Sequence, residues 1–365
     1  MNRSDFSILT SRACLLLFFL IFVMATAEAA DDECGAVGDY NFICGPISAE
    51  DLVLVPGTKW IIASGMIQDA SITLIDSQQK SWTILYPAKA PRAVQDMETY
   101  GACPGSPDPN NFISHGLHIR PGNNGHSTLY VVGHGEREAI EVFDVDASGA
   151  KPVLTWTGCV MTPDGMAANS VTSLSDGSLL ATIPLQTDRT IDEALGGAIT
   201  GGAYQWSPGD ESFVMIKGTE LAYANGIEVS TDEKEFYIAT SGGLKVIAYS
   251  RSNPARQLRA TELFNFVPDN LHMDSKGRLV TAGMLIEEPE CGTWGGEETI
   301  DFEKLVSCPR SFTVVAIDPQ TMEYSDLATS DAIPHFSNIT MGLQVGKEIW
   351  IGTFAGDRIA YRSLD

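Results

Sequence analysis

In the stretch NNFISHGLHIRPGNNGHSTLYVVGHGEREAIEVFDVD, residues 110–146, His115 stands just before one run of alternating apolar residues and His134 just after the next. Other polar residues hold the place of His115 ahead of later runs: Asn169, Asn225, Asp269 with Asn270, and Asn338 or Thr340. Side-chain amide and carboxylate oxygens are hard donors of the kind calcium takes, about six to eight at a time with waters counted. Taken singly, an Asn or Asp before a strand is a turn residue. Repeated in register across separate units, the set points to calcium or another divalent cation at a common centre.

Such convergence requires elements that bring positions far apart in sequence to one point. The chain reads as short runs that alternate apolar and polar residues or are rich in β-branched ones, broken by Gly, Pro, Asp, Asn and Ser. Helical stripes are almost absent, which makes the fold all-β. A local grammar of turn, short strand, turn and stronger strand recurs in GLHIRPGNNGHSTLYVVGH, NSVTSLSDGSLLATIPL, NGIEVSTDEKEFYIAT, DNLHMDSKGRLVTAG and MGLQVGKEIWIGTF, with residues 51–64 as the sixth copy. Repeats of this kind suit propeller blades, whose radial packing protects the strand edges. We therefore expect a six-bladed β-propeller over residues 30–365. The last copy ends with too little chain for four strands, so the segment around Cys34–Cys44 is expected to supply one and close the ring. A two-sheet sandwich is the rival, and it gives no reason for a sixfold grammar. Two insertions, 185–204 and 285–312, interrupt the pattern. Together with 97–114 they are the loops expected to set substrate choice.

Residues 1–29 have arginines at 3 and 12, an apolar core from Cys14 to Met24 and the small-residue ending Ala27-Glu28-Ala29, the pattern of a secretory signal peptide. The remainder is expected to be secreted or periplasmic, with no membrane insertion after cleavage. With 47 acidic against 23 basic residues and a net charge of −24, the chain repels nucleic acid and anionic lipid alike. Six cysteines follow the signal, and an oxidising compartment favours disulfides. Proximity pairs Cys34 with Cys44 and Cys291 with Cys308, leaving Cys103 for Cys159.

The ordered motifs SHGLHI, LYVVGH, NSVTSL, ANGIEVSTDEKEFYIA and PDNLHMD resemble the paraoxonase and arylesterase group. More widely, they resemble the senescence-marker, gluconolactonase and strictosidine-synthase-like six-bladed propellers. The resemblance implies a calcium-dependent hydrolase of small lactones or esters. Asn169, Asn225, Asp269 and Asn270 would hold the ion, and His115 and His134 would form a catalytic dyad beside it. His115 would take a proton from water, its ordinary pKa near 6.5 suiting a base around neutrality. The resemblance also implies a glutamate ligand ahead of the first blade, where this chain reads Ile47 or Ser48. Glu50 and Asp51 match the acidic pair that follows that ligand, and Ser170 stands where an acid would help a second calcium. A non-catalytic propeller binding a small ligand or a partner protein is the alternative. No G-x-S-x-G elbow or His-Glu-x-x-His helix occurs. His118, His126 and His134 form a weak zinc candidate. DVDASG reads as a hairpin turn, His272 and His335 as structural, and the Asn338 sequon as unused.

Overall fold

The computed structural model describes residues 34–294 and 306–364, and the expected signal peptide lies outside them. Residues 36–365 form one compact unit. Within it six sheets stand in a ring as a six-bladed β-propeller. The inner strands, in order, are Leu52–Leu54, Phe112–Pro121, Val171–Ser173, Ala224–Val229, Leu271–Met273 and Ile339–Val345. We number the blades one to six in that order. Inner strands of neighbouring blades pack side by side, and Ile339–Val345 lies beside Leu52–Leu54 where the ring closes.

The closure is the one expected from the short last repeat. Asn41–Cys44 pairs antiparallel with Arg358–Ser363, Phe42 opposite Ala360, and completes blade six as its outermost strand. Middle strands are apolar on both faces because each sheet is sandwiched between two others. Ile72–Asp76, Leu179–Ile183, Leu279–Met284 and Phe312–Ile317 are buried throughout. Burial of apolar area at about 25 cal/mol per Å² makes these contacts between sheets the main force holding the ring. At the seam Trp350 stacks on Tyr361, and Lys80 lies over both rings while pairing with Glu348.

Blade two carries a fifth strand that the pattern did not foretell: Arg92–Ala93 pairs parallel with the edge of Val153–Met161. Both of its residues are exposed, so no apolar alternation marks it. DVDASG is the hairpin expected, its Asp146 carboxylate accepting from the Ser148 N–H at 3.0 Å. The six cysteines after the expected signal are all disulfide-bonded, with Cys103 joined to Cys159 and Cys291 to Cys308 as proximity suggested. Among the described residues no helix is long and apolar enough to cross a membrane. The insertion 185–204 folds into a short helix, Ile191–Leu195, capped by Thr190.

Candidate active site

Three inner strands break register at the residue that faces the axis. The irregularity falls between Ser114 and Leu117, between Ala224 and Ile227, and between Ile339 and Met341, which places His115, Asn225 and Thr340 at the breaks. A bulge re-aims one side chain that regular pleating would direct elsewhere. The glycine after two of these residues lets the next blade come close. A Cβ on Gly116 would lie 2.4 Å from the Asn169 carbonyl, and one on Gly226 would lie 2.4 Å from the Leu271 nitrogen. The dipeptides His115-Gly116 and Asn225-Gly226 therefore aim one ligand and make room for its neighbour.

These residues line one cavity on the axis: Glu50, His115, Asn169, Asn225, Asp269 and Thr340. Its polar groups are oriented by their second atoms. The Asn225 amide nitrogen donates to Ser241 Oγ at 3.0 Å, and Ser241 in turn donates to the Pro268 carbonyl at 2.7 Å. The Asn270 nitrogen donates to Glu50 Oε1 at 2.6 Å. With their nitrogens spent in this way, Asn225 Oδ1 and Asn270 Oδ1 are left buried without a hydrogen-bond partner, as are Asn169 Oδ1 and Glu50 Oε2. Buried polar atoms are rarely left so, and three such acceptors lining one cavity, from Glu50, Asn169 and Asn225, is an arrangement a cation would satisfy. Burial, and after it the charge of Asp51, pushes Glu50 well above the usual carboxylate range. Burial, and after it Glu50, pushes Asp269 up as well. A divalent ion held by both carboxylates would lower both.

Glu50 is the residue that the sequence comparison misplaced. Ile47, one of the two positions where the ligand was expected, is 45% exposed, whereas Glu50 is 1% exposed in the cavity wall. The segment kinks at Ser48, which has a φ of 47°. It is then pinned by Ser48 N–H to the Gly356 carbonyl at 2.7 Å and by Thr353 N–H to the Ala49 carbonyl at 2.9 Å. The loss of a carboxylate inferred from the sequence is thereby corrected: the site has two, Glu50 and Asp269. Among the described residues no group of three or more His, Cys, Asp or Glu is arranged to hold a metal, so a site here depends on amide oxygens.

His115 Nδ1 lies 3.0 Å from His134 Nε2, and His134 Nδ1 lies 2.5 Å from Glu138 Oε2. His115 Nε2 faces Glu50 Oε1 at 3.6 Å. Burial pushes His115 down to about 4 from its ordinary value near 6.5, which keeps the ring neutral at pH 7. Around this polar floor the wall is apolar. Ile191 and Leu195 come from one insertion, Trp294 from the other, and Met66, Val267 and Phe354 from the blades. No residue of 97–114 lines the cavity; Tyr100 of that loop stacks on Trp206.

A family model for the SMP-30/gluconolactonase/LRE-like region matches residues 134–298. Over these residues the chain is similar to the SMP-30/gluconolactonase/LRE-like propellers. Among solved structures, a luciferin-regenerating enzyme shares 15% identity, covering 87% of this chain and 92% of its own, with a TM-score of 0.53. A gluconolactonase from Xanthomonas campestris shares 13%, covering 90% and 91%, with a TM-score of 0.51. These structures share the fold. No curated protein matches by sequence.

In this propeller the channel below the cavity is differently filled. Both Asp51 oxygens are engaged: Oδ1 with Leu52 N–H at 2.8 Å and His272 Nε2 at 2.7 Å, and Oδ2 with Leu117 N–H at 2.7 Å. Burial opposes charge on His272, yet the Asp51 carboxylate overrides it and lifts the imidazole to about 9. A charged His272 thus neutralises the acid, and the donor set does not fit a second calcium. The weak zinc candidate is dispersed, His126 pairing with Asp144 at 2.9 Å while His118 faces Thr172 Oγ1 at 3.4 Å. Asn338 is buried and donates to the Val306 carbonyl at 2.7 Å, leaving Thr340 as the blade-six residue in the cavity.

Proposed function

We propose that the chain is an exported, calcium-dependent hydrolase of lactones or esters. The observation that carries this reading is the convergence of buried, unpartnered acceptors from Glu50, Asn169 and Asn225 beside His115 in one cavity, with Asn270 donating to Glu50. The family suggests lactonase activity, and the disulfides accord with export. Glu50, Asn169, Asn225, Asp269 and Asn270 would hold the ion, their two carboxylates supplying charge and the amides completing the oxygen set. When bound, calcium would polarise the substrate carbonyl and support negative charge developing on its oxygen. His115 Nε2 accepts a proton from water as the water oxygen bonds to the carbonyl carbon. The C–O bond to the alkoxide then breaks, and the proton returns to that oxygen. The apolar wall, with Ile191, Leu195 and Phe354 around the floor, favours uncharged substrates carrying an apolar group.

A purely binding propeller rested on the missing glutamate, and Glu50 removes that support. Calorimetric titration with calcium, followed by turnover of a lactone and aryl-ester panel with and without chelator, tests the proposal. Chelator-sensitive hydrolysis lost in both His115→Gln and Asp269→Ala is expected. Tight calcium binding with no turnover across the panel would refute the catalytic reading.

A further inference from the structure

We infer that Glu138 is a positioning residue that sets the protonation pattern of the histidine pair, leaving the Nε2 lone pair of His115 directed into the cavity. It extends the hydrolase reading to a residue that touches neither the substrate cavity nor the proposed ligands.

The direction of each hydrogen bond follows from one end of the chain. An ionised carboxylate only accepts. With Glu138 Oε2 at 2.5 Å, His134 Nδ1 must therefore carry the hydrogen. With a single hydrogen on each ring, His134 Nε2 is then the acceptor. Its partner at 3.0 Å, His115 Nδ1, is then the donor, and His115 Nε2 has the free pair. Reversing that order would turn an N–H of His115 toward the cavity and disable it as a base.

The fold dedicates Glu138 to this task. It sits in the turn between His126–Gly135 and Ala139–Asp146. The turn depends on Gly135, whose φ is 108° and whose Cβ would fall 1.8 Å from the Asn111 carbonyl. The neighbouring cation is occupied elsewhere: Arg137 donates to both oxygens of Glu141 at 2.8 and 2.9 Å, and Trp156 Nε1 donates to Glu141 at 2.7 Å. The Glu138 side chain is 36% exposed and that of His134 is 17% exposed, so the chain of bonds runs from the buried site to solvent.

Long-range proton–nitrogen NMR on the full propeller with ¹⁵N-labelled histidine reads this pattern without substrate, and signals are assigned by His115→Gln and His134→Gln. Nδ1–H on both rings is expected in the parent, and a mixture with Nε2–H in Glu138→Ala. Should Glu138→Ala fold poorly, Glu138→Gln serves, because an amide can donate to Nδ1 as well as accept and so also mixes the tautomers. On a turned-over ester, Glu138→Ala should lower kcat about 100-fold with KM little changed, and added acetate should restore part of the rate. Nε2–H on His115 in the parent, or the same tautomers in the parent and both variants, overturns the inference. If the parent hydrolyses nothing, the hydrolase reading fails, and the spectra still decide what Glu138 does.

Discussion

Replacing Gly226 with alanine would drive a methyl group into the backbone of the neighbouring blade. The added carbon would lie 2.4 Å from Leu271 N, 2.6 Å from the Asp269 carbonyl oxygen and 2.7 Å from the Asn270 carbonyl carbon, where ordinary contacts begin at 3.4 Å. Backbone atoms cannot swing aside as a flexible side chain does, so the two strands must part by about 1 Å, an overpacking strain of about 1–3 kcal/mol. A unit of 330 residues unfolds with about 2.1 cal/mol/K per residue, which makes the loss about 1.5–4 °C in Tm. The larger effect falls on the site, because Asp269 and Asn270 are carried by the displaced segment, and a shift beyond about 0.5 Å spoils a ligand set. Calcium affinity should fall at least about tenfold, equivalent to about 1.4 kcal/mol. Gly149→Ala is the control, since its Cβ would meet nothing closer than 3.9 Å. Scanning calorimetry and calcium titration on both variants decide the matter. A Gly226→Ala protein with the control's Tm and calcium affinity would refute the claim that this close approach positions the ligands.

Burial pushes His118 down to about 4, so the folded state resists a proton that the unfolded chain accepts below about 6.5. Stability should be full above that value and fall as pH drops toward 4, by about 1–2 kcal/mol at pH 5 for this partly exposed ring; denaturant titrations at pH 7 and 5 should lose that component in His118→Leu. His272→Ala strands the Asp51 carboxylate without its charged partner, and such breaks cost about 3–5 kcal/mol; an unchanged denaturation midpoint would contradict the assigned pairing. Cys103→Ser with Cys159→Ser removes a cross-link spanning 56 residues and should cost about 3–4 kcal/mol, read as a Tm that no longer responds to reductant at this bond.

The blades were legible in the sequence because each repeats one alternation of turn and strand, and the ring follows once six sheets must cover one another's faces. The meeting of Asn169, Asn225 and Asp269 at one cavity was legible for the same reason, since each precedes or opens the inner strand of its blade. Glu50 was not. It belongs to no repeat but to the connection from the closing strand to blade one, and a count of residues from Cys44 cannot reveal the left-handed turn at Ser48. One signal was present: Gly352, where a Cβ would lie 2.6 Å from the Ala49 carbonyl oxygen, marks the strand against which that connection is pressed. Glu138 was equally hidden, since its value lies in a hydrogen bond that runs back across a hairpin.

The strand Asn41–Cys44 fastens the two ends of the chain to each other, and the proposed first ligand follows directly from it. Glu50 thus hangs from the clasp of a bracelet, with Asn270 and Thr340 gripping its carboxylate and carbonyl from blades five and six. If Glu50 holds the proposed ion, loosening the clasp would withdraw that carboxylate before any blade need come apart, and cation retention would then report on the integrity of the join more sensitively than global unfolding does.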